Sequence, residues 1–286
     1  MFNFQDAFSR NIGWVTQAEL DSLRYKTVAI AGAGGVGGEH LVTLARLGIG
    51  CFKIADFDFF ELHNFNRQAG AFISTIGDQK TDVMKDIALD INPDADIQVF
   101  DEGINEGNVD AFLDGVDVYV DGLDFFALKA RKLVFQKCQD KGIPFVTAAP
   151  VGMGCAFLSF LPGGMTFEEY FRFGDAKTEE EEYIKFYIGL CPSGLQRGYL
   201  VEPDVVDLIN RKLPSTPMGI KLSSGIACTN VLKILLKRGD VVAAPYGLHF
   251  DAYKNKIKKT WRPHGNRNLL QRLMFYFARR QLLNTE

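Results

Sequence analysis

The sequence predicts an α/β fold: a doubly wound, largely parallel sheet with helices on both faces. Three observations lead there. Short β-rich apolar segments alternate with helical ones between residues 27 and 148. The first strand and first helix of that series are joined by Gly32-Ala33-Gly34-Gly35-Val36-Gly37-Gly38. The second strand ends on an acid, Asp56. Past residue 151 the rhythm is lost, and a crossing segment followed by a C-terminal hairpin and helix is expected.

The elements follow in order. Residues 1–26 read as an N-terminal arm and a helix, with Thr16 as N-cap and Glu19 three residues on. Arg10 stands alone there among Phe2, Phe4, Phe8 and Ile12. Residues 27–164 form the core. Its strands are 27–31, 52–55, 97–100, 116–120 and 144–148, and its helices start near residue 36, at 79, at 105 and at 126. Gly48, Asn92-Pro93 and Gly142 are the helix stops. Residues 165–219 carry Pro192, Pro203, Pro214 and Pro217 and read as a crossing segment with short helices. Residues 220–286 hold an apolar helix to 237, a hairpin around Asn255, and a basic amphipathic helix over 268–283. All segments belong to one compact domain.

Composition bounds the function. The 286 residues are 47% hydrophobic, enough for a full core. A net charge of −3 argues against a nucleic-acid coat, and no nucleic-acid partner is expected. No apolar run approaches the ~20 residues of a membrane span, and no basic start precedes an apolar block. Cys51, Cys138, Cys155, Cys191 and Cys228 are odd in number and form no C-x-x-C pair. A reduced, cytoplasmic setting is expected, without disulfides or structural zinc.

The glycine turn carries chemistry. Glycines let the backbone approach a phosphate with no Cβ in the way, and the following helix start offers free N–H groups and partial positive charge. Gly32, Gly34, Gly35 and Gly37 are therefore nucleotide-binding candidates. Asp56 falls about 20 residues on, where such βαβ units bind a ribose hydroxyl. NAD, FAD and ATP all fit this much.

The next stretch narrows the choice. Asp56-Phe57-Asp58-Phe59-Phe60-Glu61-Leu62-His63-Asn64-Phe65-Asn66-Arg67-Gln68 collects acids, amides and an arginine directly after the second strand. Lys80 follows at the next helix start. Arg67 and Lys80 together can neutralise a triphosphate and a departing pyrophosphate. Asp124, just past the 116–120 strand, lies where an open α/β sheet presents residues to its cleft, and a carboxylate there suits Mg²⁺.

These stretches read GxGGxG, DxDxxExxNxxRQ and GxxK, then an acid in a strand-end loop with Arg131 behind it. In this the chain resembles the ThiF/MoeB-type adenylyltransferases of the ubiquitin-activating-enzyme superfamily, closely over residues 9–160 and loosely beyond. The resemblance implies a Rossmann-like fold, ATP with Mg²⁺, and activation of a carboxylate as an acyl-adenylate. The activated group would be the C-terminal glycine of a ubiquitin-like or sulfur-carrier protein, or of a peptide. It implies Asp56, beside Asp58, as ribose binder, Asn64, Arg67 and Lys80 as phosphate-handling residues, and Asp124 as magnesium carboxylate. Arg10 matches an arginine that reaches the partner subunit's triphosphate, which implies a homodimer and an aromatic arm buried across the interface. Cys191, the only cysteine in the crossing segment, is the one candidate nucleophile for a thioester step. The rival readings are an NAD(P)- or FAD-dependent oxidoreductase, a non-catalytic nucleotide-binding scaffold, and adenylation of a carboxylate on a modified tRNA.

Overall fold

The computed structural model describes residues 2–208 and 210–283. Helix α1 (Phe4–Phe8) and helix α2 (Gln17–Leu23) precede the sheet, and α2 starts in the expected capping box of Thr16 and Glu19. Strand β1 (Thr27–Ala31), α3 (Gly35–Leu47), β2 (Cys51–Ala55), α4 (Lys80–Ile91), β3 (Asp96–Phe100), α5 (Val109–Phe112), β4 (Val118–Asp121), α6 (Leu128–Lys141) and β5 (Phe145–Val151) follow as the alternating series. Strand β6 (Gly154–Phe160) then turns back along β5. After α7 (Phe167–Phe171), α8 (Glu179–Leu190) and α9 (Pro217–Leu236), β7 (Tyr246–Asp251) and β8 (Lys256–Trp261) extend the sheet, and α10 (Leu269–Leu282) closes the chain.

One sheet of eight strands results, in the order β3-β2-β1-β4-β5-β6-β7-β8. The pairings from β3 through β5 are parallel, and those from β5 through β8 are antiparallel. The alternation of strand side chains divides the core. Ala29, Ala31, Tyr119 and Phe145 face α5, α6, α7, α8 and α10. Val28, Ile30, Val118, Val120 and Val146 face α3, α4 and α9. Strands buried on both faces read as continuous apolar runs, which is why the parallel half was legible.

Three expectations change. The aromatic arm is not a free arm. Phe4 and Phe8 are buried within this chain, packed with Val15 and Leu20 and beside Ile91, Leu232 and Leu236, so they are not rings kept for a partner subunit. The crossing segment is more ordered than its prolines suggest, since α8 runs for 12 residues from a Thr178 cap. Helix α9 is long and apolar enough to cross a membrane by length and composition alone. It packs instead against α3, β5 and β6.

Candidate nucleotide site

The strand order reverses between β1 and β4, the place where open α/β sheets bind ligands, and the glycine turn sits there. Gly32 leaves β1 at φ +89°. A Cβ on it would lie 2.1 Å from the Gly122 carbonyl oxygen, past the end of β4, and one on Gly37 would lie 1.7 Å from the Gly32 oxygen. These glycines let turn, helix and neighbouring loop touch backbone to backbone. Gly34 and Gly35 do something else. They face Gln68, Arg67 and Ile220, so they open onto the next loop and onto α9. No side chain caps α3, whose N-cap is Gly34; a helix start of this kind carries N–H groups without helical partners.

Asp56 follows β2 and turns toward this corner. Its Oδ2 accepts the Ala33 N–H at 2.6 Å and its Oδ1 accepts the Asp58 N–H at 2.9 Å. Burial pushes its pKa up, against those two hydrogen bonds and the Lys80 charge. Each oxygen keeps a lone pair for a further donor. Lys80 opens α4 with its side chain 7% exposed, and its Nζ pairs with Asp58 Oδ2 at 2.9 Å. Asp58 is half open to solvent, so the pair spans the wall of the cleft. Asn64 is buried, and its Oδ1 accepts the Glu61 N–H at 3.0 Å, which leaves the amide nitrogen without a partner among the described residues. Arg67 lies against Gly35 and is held from its own loop, donating to His63 O and Asn66 Oδ1, both at 2.9 Å. Asn66 in turn donates to Ser215 O at 3.1 Å, tying this loop to the end of the crossing segment. Gln68 Oε1 and Thr81 Oγ1 are buried beside these groups and lack a partner among the described residues.

Asp124 is exposed in the loop after β4, and its Oδ1 accepts the Phe126 N–H at 2.9 Å. The second oxygen carries no bond among the described residues. The loop is clamped from beneath by Arg131, whose Nη2 donates to Leu123 O at 2.6 Å and to Asp124 O at 3.1 Å. Arg131 Nε pairs with Asp121 Oδ2 at 2.8 Å, and Thr147 donates to the same oxygen at 2.8 Å. Asp121 and Arg131 are almost wholly buried. Sequence reasoning noticed Arg131 but missed Asp121 and Thr147. The available signal was an acid ending a strand, Val118–Asp121, whose other members are apolar or aromatic.

The two remaining candidates lie elsewhere. Arg10 is exposed in the turn after α1 and makes no side-chain bond among the described residues. Its neighbour Asn11 bonds Arg46 O, at the far end of α3 from the glycine turn. The 13 residues of α3 put roughly 20 Å between them, so one chain does not bring Arg10 to its own turn. Cys191 ends α8, 2% exposed, with its thiol donating to Gln196 Oε1 at 3.2 Å and 3.5 Å from His249 Nδ1. Burial pushes its pKa up to about 12. Burial of this depth disfavours the thiolate that thioester chemistry needs.

Among the described residues no group of three His, Cys, Asp or Glu side chains could hold a metal ion by itself. A magnesium ion that arrives with nucleotide phosphates needs only one or two protein carboxylates. The singly bonded, exposed Asp124 fits that role.

Comparison with known proteins agrees with this geometry. The model of the ThiF family matches residues 8–269. The tRNA threonylcarbamoyladenosine dehydratase of Bacillus subtilis is 34% identical over 142 residues, 49% of this chain and 55% of the relative. The SAMP-activating enzyme E1 of Haloferax volcanii is 32% identical over 50% of this chain and 53% of the relative. The probable molybdopterin-synthase adenylyltransferase of Porphyra purpurea is 30% identical over 41% of this chain and 30% of the relative. The chain thus spans about half the length, or less, of these curated relatives. Among solved structures, Escherichia coli MccB with MccA superposes with a TM-score of 0.70 at 20% identity, over 94% of this chain and 75% of that one. PaaA does so with a TM-score of 0.67 at 18% identity, over 90% and 73%. These two share the fold. With a family model matched over nearly its whole length and the glycine turn, acidic loop and Lys80 set around one cleft, the chain belongs to the ThiF family.

Proposed function

We propose that this chain is an ATP-dependent adenylyltransferase, acting on a carboxylate at the C-terminal glycine of a small ubiquitin-like or sulfur-carrier protein or of a peptide. One observation carries the reading. At the β1/β4 switch point Arg67 lies against Gly35, the buried Lys80 pairs with Asp58 next to Asp56, and Asp124 follows two residues after Gly122, whose backbone meets Gly32. A dinucleotide oxidoreductase has use for the turn and for Asp56 but not for two cations and a further carboxylate. Family membership and relatives named as adenylyltransferase and E1 support the choice of ATP.

The inferred reaction joins two anions. A carboxylate oxygen forms a bond to the α-phosphorus, the bond from that phosphorus to the bridging oxygen breaks, and pyrophosphate leaves with the electron pair. The carboxylate is ionised at neutral pH, so no base is required. What must be overcome is charge repulsion. Asp56 holds the ribose, the α3 start and Asn64 orient phosphates, and Arg67 and Lys80 neutralise the charge that collects on pyrophosphate. Asp124 would hold magnesium, which supplies further charge neutralisation when bound. Arg131 positions Asp124 through the loop carbonyls and does not itself face the nucleotide.

A second reading of the carboxylate has support in the comparisons, since a 34% identical relative is named for threonylcarbamoyladenosine in tRNA, a group that carries a free carboxylate. Calorimetry with ATP–Mg²⁺ should show binding that NAD does not compete away, and peptides ending in glycine should drive ATP–pyrophosphate exchange while their C-terminal amides do not. Asp124→Ala should lose exchange by about a hundredfold or more with an unchanged thermal transition. Tight NAD binding with ATP inert would overturn the reading, and exchange driven by modified tRNA alone would replace its substrate.

A further inference from the structure

On the sheet face away from the glycine turn, α8, α10 and the turn Gly265–Arg267 border a half-open pocket of about 570 Å³. Asp175, Lys185, Ile188, Asn266, Arg267, Arg272 and Phe275 line it. None of these residues takes part in the site described above.

The charges in the pocket are unevenly matched. Asp175 is engaged by Arg172, at 3.2 and 3.3 Å. Glu181 on α8 pairs with Arg279 at 3.2 Å. Arg267 and Arg272, which both line the same space, carry no side-chain hydrogen bond or ion pair among the described residues. Lys185 is 8% exposed, which is rare for a lysine, and its Nζ has one hydrogen bond, to Arg172 O at 2.9 Å. The same ammonium lies 5.3 Å from the centre of the Phe275 ring. The Asn266 amide is taken up by Phe171 O and Lys185 O, so it shapes the wall and is not free for a ligand. Lys185, Arg267 and Arg272 thus line the pocket together with apolar surface from Ile188 and Phe275, against one lining acid, Asp175, on which Lys185 and Arg267 also act.

We propose that this pocket is a binding site for a small organic phosphate monoester. Two guanidinium forks suit phosphate oxygens bidentately. A monoester carries ~1.5 to 2 negative charges at neutral pH, a closer match to three cations than a single carboxylate. Ile188 and Phe275 would meet the organic part. The volume lies in the range of about 300–1,000 Å³ typical of small-molecule sites.

The test uses the full chain with its nucleotide site saturated by a non-hydrolysable ATP analogue. Phenyl phosphate and inorganic phosphate are titrated by calorimetry into wild type, the exposed-surface double variant Arg267→Gln/Arg272→Gln, and Lys80→Ala. Wild type and Lys80→Ala should bind phenyl phosphate alike and more tightly than inorganic phosphate, and the double variant should bind it at least tenfold more weakly. Its circular dichroism and its ATP binding should match wild type, which separates this outcome from any failure of the adenylyltransferase reading. No binding to wild type at millimolar concentration, or equal binding by the double variant, would overturn the proposal.

Discussion

At the scale of single residues, the same side-chain type does different work according to where the fold puts it. Asp56 is turned into the corner of the cleft by two backbone N–H groups, Asp58 is drawn to Lys80, and Asp121 is buried under Arg131 and Thr147. Removing one member of a buried pair such as Asp121–Arg131 strands the other charge, whereas an exposed acid such as Asp124 leaves no such debt. The cysteine follows the same logic. With its pKa held near 12 by burial, Cys191 donates to Gln196 and stays protonated across the physiological range. Cys191→Ser is expected to retain full adenylate formation, and non-reducing electrophoresis of wild type with a glycine-ended carrier is expected to show no reducible adduct. An adduct present in wild type and missing in the Ser variant would restore the cysteine as a nucleophile.

At the scale of elements, α3 links the site to the core. Its first turn forms the cleft, while its later residues are buried against α4 and α9. His40, in the buried part, is fully enclosed, and its Nε2 has no partner among the described residues. Burial lowers its pKa from 6.5 to about 3. The folded state thus favours the neutral ring. Its contribution to stability is complete above the unfolded value of 6.5 and is lost as pH falls from there toward 3. Between pH 7 and pH 5 the loss comes to about 2 kcal/mol. Urea denaturation at the two pH values should show that wild type loses about this much more than His40→Leu. Equal losses in the two proteins would mean that His40 is not excluded from protons in the folded state.

At the scale of the whole molecule, the open question is where Arg10 acts. Phe4 and Phe8 are used up in packing α1 against α2 and the ends of α3 and α9, whereas Phe2 and Trp14 stay exposed. The bond from its neighbour Asn11 to Arg46 O places Arg10 at the end of α3 remote from its own glycine turn, with a guanidinium free of partners among the described residues. In the homodimer that the family resemblance implies, it would reach the other subunit's triphosphate, as an arginine supplied in trans. Arg10→Ala and Lys80→Ala should each be nearly inactive alone. Mixed and allowed to exchange subunits, they form heterodimers in which one site has both defects and the other has neither. Activity should return to about half per heterodimer under two-fold symmetry. A mixture that stays inactive, with exchange confirmed by native mass spectrometry, would end the trans assignment.

The sequence alone was enough to establish the order of strands and helices through β5, the glycine turn, the acidic loop after β2 and the lysine that opens α4. Each is a local pattern: an apolar period, a residue that only glycine can be, a polar group placed a fixed number of residues past a strand. It also sufficed for the capping box of Thr16 and Glu19 and for the hairpin of β7 and β8. Tertiary structure decided what depends on partners distant in the chain. Asp121 meets Thr147 across two strands, and Asn66 reaches Ser215. Phe4 and Phe8 find their cover in α2 and α9, and Cys191 lies beside His249. The cationic pocket needs α8 and α10 side by side. Burial and pairing depend on what the fold places around a residue, so neither can be read from spacing.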